Sequence, residues 1–280
     1  MKKAVWLTDL HLVFLRDKAS LEFDPEYHDF LDSVGNSDAD MIMISGDIGE
    51  APDNPTLLTG LAEAWQKPIY FVLGNHDFYH SSIASVRKDI AELSKETHHL
   101  HYLSNIGPVS LTSETGLVGH DGWYDGRSGN YVCCDFRTND FTAIRELRFS
   151  ELRYTRPEAD DLRRPILEQL ADEGATHLRT NLRLAKSSFR KMYVVTHFPP
   201  FVESAFRRGR ILDEFSSPLA VCTAIGEVLL EAARSAPECE FTVLCGHMHE
   251  SCIYQPRENL RVLTGSAKYC SPEIQQVFMI

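Results

Sequence analysis

Short apolar runs recur along the first third of the chain, and each one stops at a polar residue. Lys3–Thr8 carries Val, Trp and Leu and stops at Asp9. Met41–Ile44 runs into Ser45-Gly46-Asp47, and Ile69–Leu73 into Gly74-Asn75-His76-Asp77. Between these runs the apolar period changes to that of a helix. Asp24-Pro25 opens one helix, with Tyr27, Phe30, Leu31 and Val34 on its apolar face. Asn54-Pro55 opens a second, with Leu57, Leu58, Leu61 and Trp65. Ile83, Val86, Ile90 and Leu93 mark a third. Strand, polar loop and helix, repeated three times, predict βαβ units around a mostly parallel sheet. Ligands bind such sheets at the carboxyl ends of the strands, where the acids and imidazoles of this chain fall.

The middle of the chain reads differently. Val109–Leu111 and Leu117–Gly119 predict a hairpin pair or successive short strands. From about 121 to 190 strand signals are few and charges many. Asp160–Lys186 predicts one long helix or two, with Pro165 in the first turn or at a kink. No Pro/Gly/Ser linker bounds the stretch. The expectation is one domain over 1–280 with a cap-like insertion at about 121–190. The earlier pattern returns at Met192–Thr196, which ends in His197, and at Phe241–Cys245, which ends in Gly246-His247-Met248-His249. Pro218 opens a helix through Arg234 between them, and Arg261–Thr264 and Val277–Ile280 predict closing strands.

Composition narrows the partners. With 28 basic against 40 acidic residues the formal charge is −12, so nucleic acid and anionic membrane are disfavoured on charge alone. No run approaches the length of a membrane helix. The N-terminal segment lacks a long apolar region and a small-residue cleavage site, so it reads as a first strand and the protein as cytoplasmic. Seven cysteines without a Cys-x-x-Cys pair read as reduced structural thiols.

The chemistry lies in five motifs: Asp9-x-His11, Gly46-Asp47, Gly74-Asn75-His76-Asp77, His197 and Gly246-His247-x-His249. Asp9 and His11, alternating along an extended segment, would point to one side and grip one cation together. Asp47 follows a glycine that lets the backbone approach closely, and its carboxylate can bridge two cations. Asn75 offers a neutral carbonyl oxygen, and His197, His247 and His249 offer imidazoles. Each motif alone is common, but five in order after apolar strands are not. Together they resemble the calcineurin-like metallophosphoesterase family.

The resemblance implies an α/β fold, a four-layer α/β/β/α sandwich with two mixed sheets and the metals at the strand ends. It implies two divalent metal ions (Mn, Fe, Zn or Co), the first on Asp9, His11, Asp47 and His249. The second would sit on Asp47, Asn75, His197 and His247. A hydroxide between such metals attacks phosphorus, and the histidine matching His76 assists the leaving group. Glu50 takes the place of an aspartate that orients this histidine in the protein phosphatase branch. It reads equally as a solvent-exposed loop acid, and Asp77 as a residue that fixes the loop. Gly49-Glu50-Ala51 and Leu73-Gly74-Asn75 depart from that branch, and the Gly74-Asn75-His76-Asp77 and Gly246-His247-x-His249 forms look more like bacterial small-molecule phosphomonoesterases and phosphodiesterases.

Arg207, Arg208 and Arg210 can clamp a substrate phosphate or form a solvated charge run. Trp123 and Tyr124 can stack on a leaving group or pack in the core. His120 and Asp121 read as a satisfied loop pair, and His98, His99 and His101 as non-ligands. The expected partner is a small-molecule phosphate ester. The alternatives are a nuclease of the same fold and a non-catalytic metal-binding interaction module.

Overall fold

The computed structural model describes residues 2–17, 20, 22–149, 153, 155–185 and 188–280. In chain order its regular elements begin with β1 (Lys3–Leu7), α1 (Pro25–Gly35), β2 (Met41–Ser45), α2 (Asn54–Trp65), β3 (Ile69–Val72), α3 (Ile83–Glu96) and β4 (Leu100–Tyr102). β5 (Val109–Ser110), β6 (Thr115–Gly119), α4 (Asp140–Ala143), α5 (Arg156–Ala185) and β7 (Lys191–Val195) follow. The chain continues through β8 (Phe206–Arg207), β9 (Arg210–Ile211), α6 (Thr223–Ser235), β10 (Glu240–Cys245), β11 (Cys252–Arg257), β12 (Leu260–Thr264) and β13 (Gln276–Met279).

Two mixed sheets result, ordered β13-β1-β2-β3-β4 and β11-β12-β10-β7-β6-β5. β1 to β4 are parallel neighbours, as are β6, β7, β10 and β12; β13, β11 and β5 close the edges antiparallel. The alternation of side chains along each strand explains the layering. Ala4, Trp6, Met41, Met43, Tyr193, Val195, Leu244 and Leu263 share one buried cluster between the sheets. Their neighbours Val5, Leu7, Ile42, Ile44, Met192, Val194, Val243 and Val262 pack with the apolar faces of the helices. Strands covered on both faces need continuous apolar runs, which is why they stand out in the sequence.

Residues 120–190 join two parallel neighbours, β6 and β7, so they must cross over the sheet. α5 makes that crossing, packing against α6 and β6. It is a single helix that starts at Arg156, ahead of the predicted Asp160, and the predicted end, Lys186, lies outside the described residues. Pro165 sits in its interior, not in its first turn. Pro165 and Asp161 are both exposed, so the carbonyl that loses its N–H partner is open to water.

Candidate metal centre

The loops after β1, β2, β3, β7 and β10 meet at one edge of the paired sheets. Asp9 N–H donates to the Gly46 carbonyl (3.0 Å) and His11 N–H to the Asp47 carbonyl (2.9 Å). His76 N–H donates to Asp47 Oδ1 and His247 N–H to Asp9 Oδ1, both at 2.9 Å. The expected strand alternation of Asp9 and His11 is corrected here. β1 ends at Leu7, and both residues take left-handed backbone angles, φ 48° and 46°. Asp47 (φ 53°), His247 (70°) and His249 (59°) do the same. Such angles cost about 1–3 kcal/mol each, and they recur at sites where geometry is imposed for function. Two glycines make the room. Gly46 has φ 96°, and a Cβ on it would lie 2.6 Å from His197 Nδ1. A Cβ on Gly246 would lie 2.1 Å from Asp9 Oδ2.

Ligand atoms of Asp9, His11, Asp47 and His249 lie within 4.8 Å of one another. Beside them, Asn75 Oδ1 is 3.1 Å from His197 Nε2 and 3.1 Å from His247 Nδ1. Asp47 Oδ2 is 3.5 Å from His197 Nε2 and 3.8 Å from His11 Nε2, which places it between the two groups. The structure thus places the seven residues side by side, Asp9, His11, Asp47 and His249 as one group and Asn75, His197 and His247 as another, with Asp47 between them.

The hydrogen bonds show what these sets fit. His197 Nδ1 faces the Ser45 carbonyl at 2.9 Å, so Nδ1 carries the proton and Nε2 presents a lone pair. The Asn75 amide nitrogen donates to Asp140 Oδ1 at 2.9 Å, so its oxygen faces that lone pair. Two acceptors 3.1 Å apart repel unless a cation lies between them. Mixed nitrogen and oxygen donors of this kind suit divalent transition metals. Burial first, and then neighbouring imidazoles, hold His11 and His247 well below the ordinary histidine value. Burial also lowers His197, so these rings are neutral at pH 7, as metal ligation would need. Burial, then the Asp9 carboxylate, pushes Asp47 well up, a cost that bound cations would reverse.

His76 borders the same cavity, of about 420 Å³, without joining either ligand set. Its ring packs against His11 (4.6 Å) and Tyr79 (4.3 Å). Glu50, the possible orienter of His76, instead pairs with His80 Nε2 at 3.1 Å. Asp77 accepts the amides of Ile48, Gly49 and Gly74, all at 2.8–2.9 Å, and so fixes the loops after β2 and β3 against each other. Trp123 and Tyr124 are fully buried and border no part of the cavity. A stacking role for them is corrected to core packing: Trp123 lies between Phe78 and Phe198. Asp121 is also core, holding Leu73 N, Ser104 Oγ, Tyr102 Oη and Arg87 Nε. His101 stacks on Tyr70 at 4.8 Å, and His98 packs against His99. Arg207 and Arg208 border the cavity, whereas Arg210 borders the groove next to it.

Two residues without a sequence signal matter here. Tyr269 lies over His11 (4.7 Å) and His249 (5.2 Å). Asp140 is fully buried at the start of α4. It accepts from Asn75 Nδ2, Tyr79 Oη (2.7 Å) and Tyr124 Oη (2.8 Å). Asp140 thereby fixes which end of the Asn75 amide faces the second set. Asp140→Ala is expected to weaken binding of the second Mn²⁺ by about 10–100-fold and to leave the first nearly unchanged. Two-step calorimetric titration would check this; equal weakening at both sites would contradict it. Asp140→Asn retains an acceptor and should lie between.

Among curated proteins none matches the chain. Solved structures share its fold, two of them over nearly the whole chain. One is a phosphopantetheinyl hydrolase from Mycobacterium tuberculosis, at 16% identity and a TM-score of 0.62, covering 96% of this chain and 90% of that one. The other is a dimetal phosphatase from Danio rerio, at 13% identity and a TM-score of 0.57, covering 95% and 87%. The family model for calcineurin-like phosphoesterases matches residues 2–251, a span that holds all five motifs. The chain belongs to the calcineurin-like phosphoesterase family.

Proposed function

We propose that the chain hydrolyses small-molecule phosphate esters with two divalent cations held by Asp9, His11, Asp47 and His249 and by Asp47, Asn75, His197 and His247. The observation that carries this reading is the pair of acceptor clusters sharing Asp47, with His76 beside them in an open cavity. Bound cations would supply Lewis acidity and a water activated near neutral pH. The protein's own part is to fix the donors before substrate arrives. Backbone amides of His76 and His247 hold the Asp47 and Asp9 carboxylates, and Asp140 holds the Asn75 amide.

His76 supplies a hydrogen bond to the leaving oxygen. Burial lowers it to about 4, although the Asp140 carboxylate pulls the other way. At neutral pH the ring is uncharged and acts through its N–H. The segment Phe136–Asn139, within the 121–190 stretch, lines the same cavity and would serve as its cap. Retention of every ligand, together with His76, argues against a non-catalytic module, and the acidic overall charge against a nuclease.

Hydrolysis of p-nitrophenyl phosphate and bis(p-nitrophenyl) phosphate after reconstitution with Mn²⁺, Fe²⁺ or Zn²⁺ tests the reading. Turnover of either ester that EDTA abolishes supports it, and the faster ester names the substrate class. Metal-replete protein that turns over neither contradicts it.

A further inference from the structure

Resting on the phosphoesterase reading, we propose that the substrate carries a second anionic group, remote from the scissile phosphorus, and that the β8–β9 hairpin receives it. The metal cavity continues into a groove of about 740 Å³, and the two share Phe136, Arg137, Arg207 and Arg208. Arg210 adds a fourth guanidinium, against Asp135 and Asp213 on the same walls. This is a local excess of positive charge on a chain of net charge −12.

The hairpin itself is arranged against its own stability. Arg207 and Arg210 are directly opposed across the two strands, where like charges repel. Arg208 sits in the turn with φ 53°, a conformation that an arginine rarely adopts. The nearby acids are held by backbone amides instead of by these guanidinium groups. Both Glu250 oxygens accept backbone amides, of Arg208 and of Gly209. Asp213 Oδ1 accepts the amides of Phe215 (3.2 Å) and Ser216 (3.0 Å). Among the described residues no carboxylate comes within ion-pair distance of Arg137, Arg207, Arg208 or Arg210.

Two contacts aim the hairpin at the metal centre. Glu250 directly follows the ligand His249 and clamps the turn. The Arg207 guanidinium lies 4.8 Å over the Phe136 ring, which supports its plane and leaves its N–H edges free. Planar forks of this kind bind phosphate or carboxylate oxygens in pairs. A distal anion on the substrate would relieve the repulsion and select esters of the right length.

Calorimetry on the Mn²⁺-loaded full chain tests this without requiring turnover. The probes are alkylphosphonates, α,ω-alkane bisphosphonates and ω-phosphonoalkanoates with spacers of four to eight carbons. A bisphosphonate or phosphonoalkanoate of one spacer length is expected to bind about tenfold or more tightly than its alkylphosphonate. Arg207→Gln/Arg210→Gln, on an exposed hairpin, should remove that advantage while circular dichroism stays unchanged. The two dianion series show whether the distal group is a phosphate or a carboxylate. No advantage at any spacer, or one that survives in the double variant, overturns the proposal. Retained preference without ester turnover would sink the hydrolase reading and leave the anion groove standing.

Discussion

Asp47→Asn is expected to lower kcat/KM by at least about 10³-fold, the scale on which one preorganised charge-stabilising donor already counts. Asp47 is common to both proposed ligand sets, and its Oδ2 lies 3.5 Å from His197 Nε2 and 3.8 Å from His11 Nε2. An amide offers one neutral oxygen where the carboxylate can offer two charged ones. The metal-free protein should behave in the opposite way. Burial and the Asp9 carboxylate raise Asp47, so its ionisation opposes folding. The sign follows from the raised folded-state value. Above the ordinary aspartate range the unfolded chain gives up this proton more readily than the folded one, so stability falls as pH rises through that window. Removing the charge should leave the Tm of the metal-free protein equal or higher at pH 7. The gain on adding Mn²⁺, about 5 °C or more in the parent at saturating metal, should shrink. Scanning calorimetry with and without Mn²⁺ reads both effects. Full activity with two metals bound to the variant would contradict the bridging role.

His76→Ala is expected to keep both metals and to slow alkyl phosphate esters by about 10²–10⁴-fold. The loss should be much smaller for p-nitrophenyl esters, whose leaving group needs little help. Because burial holds His76 near pH 4, it is neutral throughout pH 6–8. The cost of the substitution should therefore be the same at pH 6 and pH 8. A cost that fades with rising pH would mean that an imidazolium does the work. Equal slowing of good and poor leaving groups would remove His76 from the leaving-group side altogether.

How much of this was legible in the sequence depends on burial. Strands β1, β2, β3, β7 and β10 are covered on both faces, so their apolar runs and the polar residue after each are unmistakable. The candidate ligands stand out because they sit at those strand ends. β11 was not, because it is an edge strand with alternating exposure and a proline at position 256. The geometry between motifs was also hidden. Nothing in Asp9-Leu10-His11 marks two left-handed residues in place of an extended segment. Asp140 had no signal at all, since it lies in a charged stretch 65 positions beyond Asn75 and its role comes from three hydroxyl and amide donors that only the fold assembles. Trp123 and Tyr124 follow an apolar strand next to a catalytic-looking loop, a context shared by pocket and core aromatics. Packing alone separates the two.

The most direct test is a titration of Mn²⁺ into metal-free protein while bound metal and hydrolysis of the two p-nitrophenyl esters are followed together. Two equivalents should bind, with turnover appearing only as the second site fills. Saturation at one equivalent, or two equivalents bound with neither ester cleaved, would contradict a two-cation phosphoesterase.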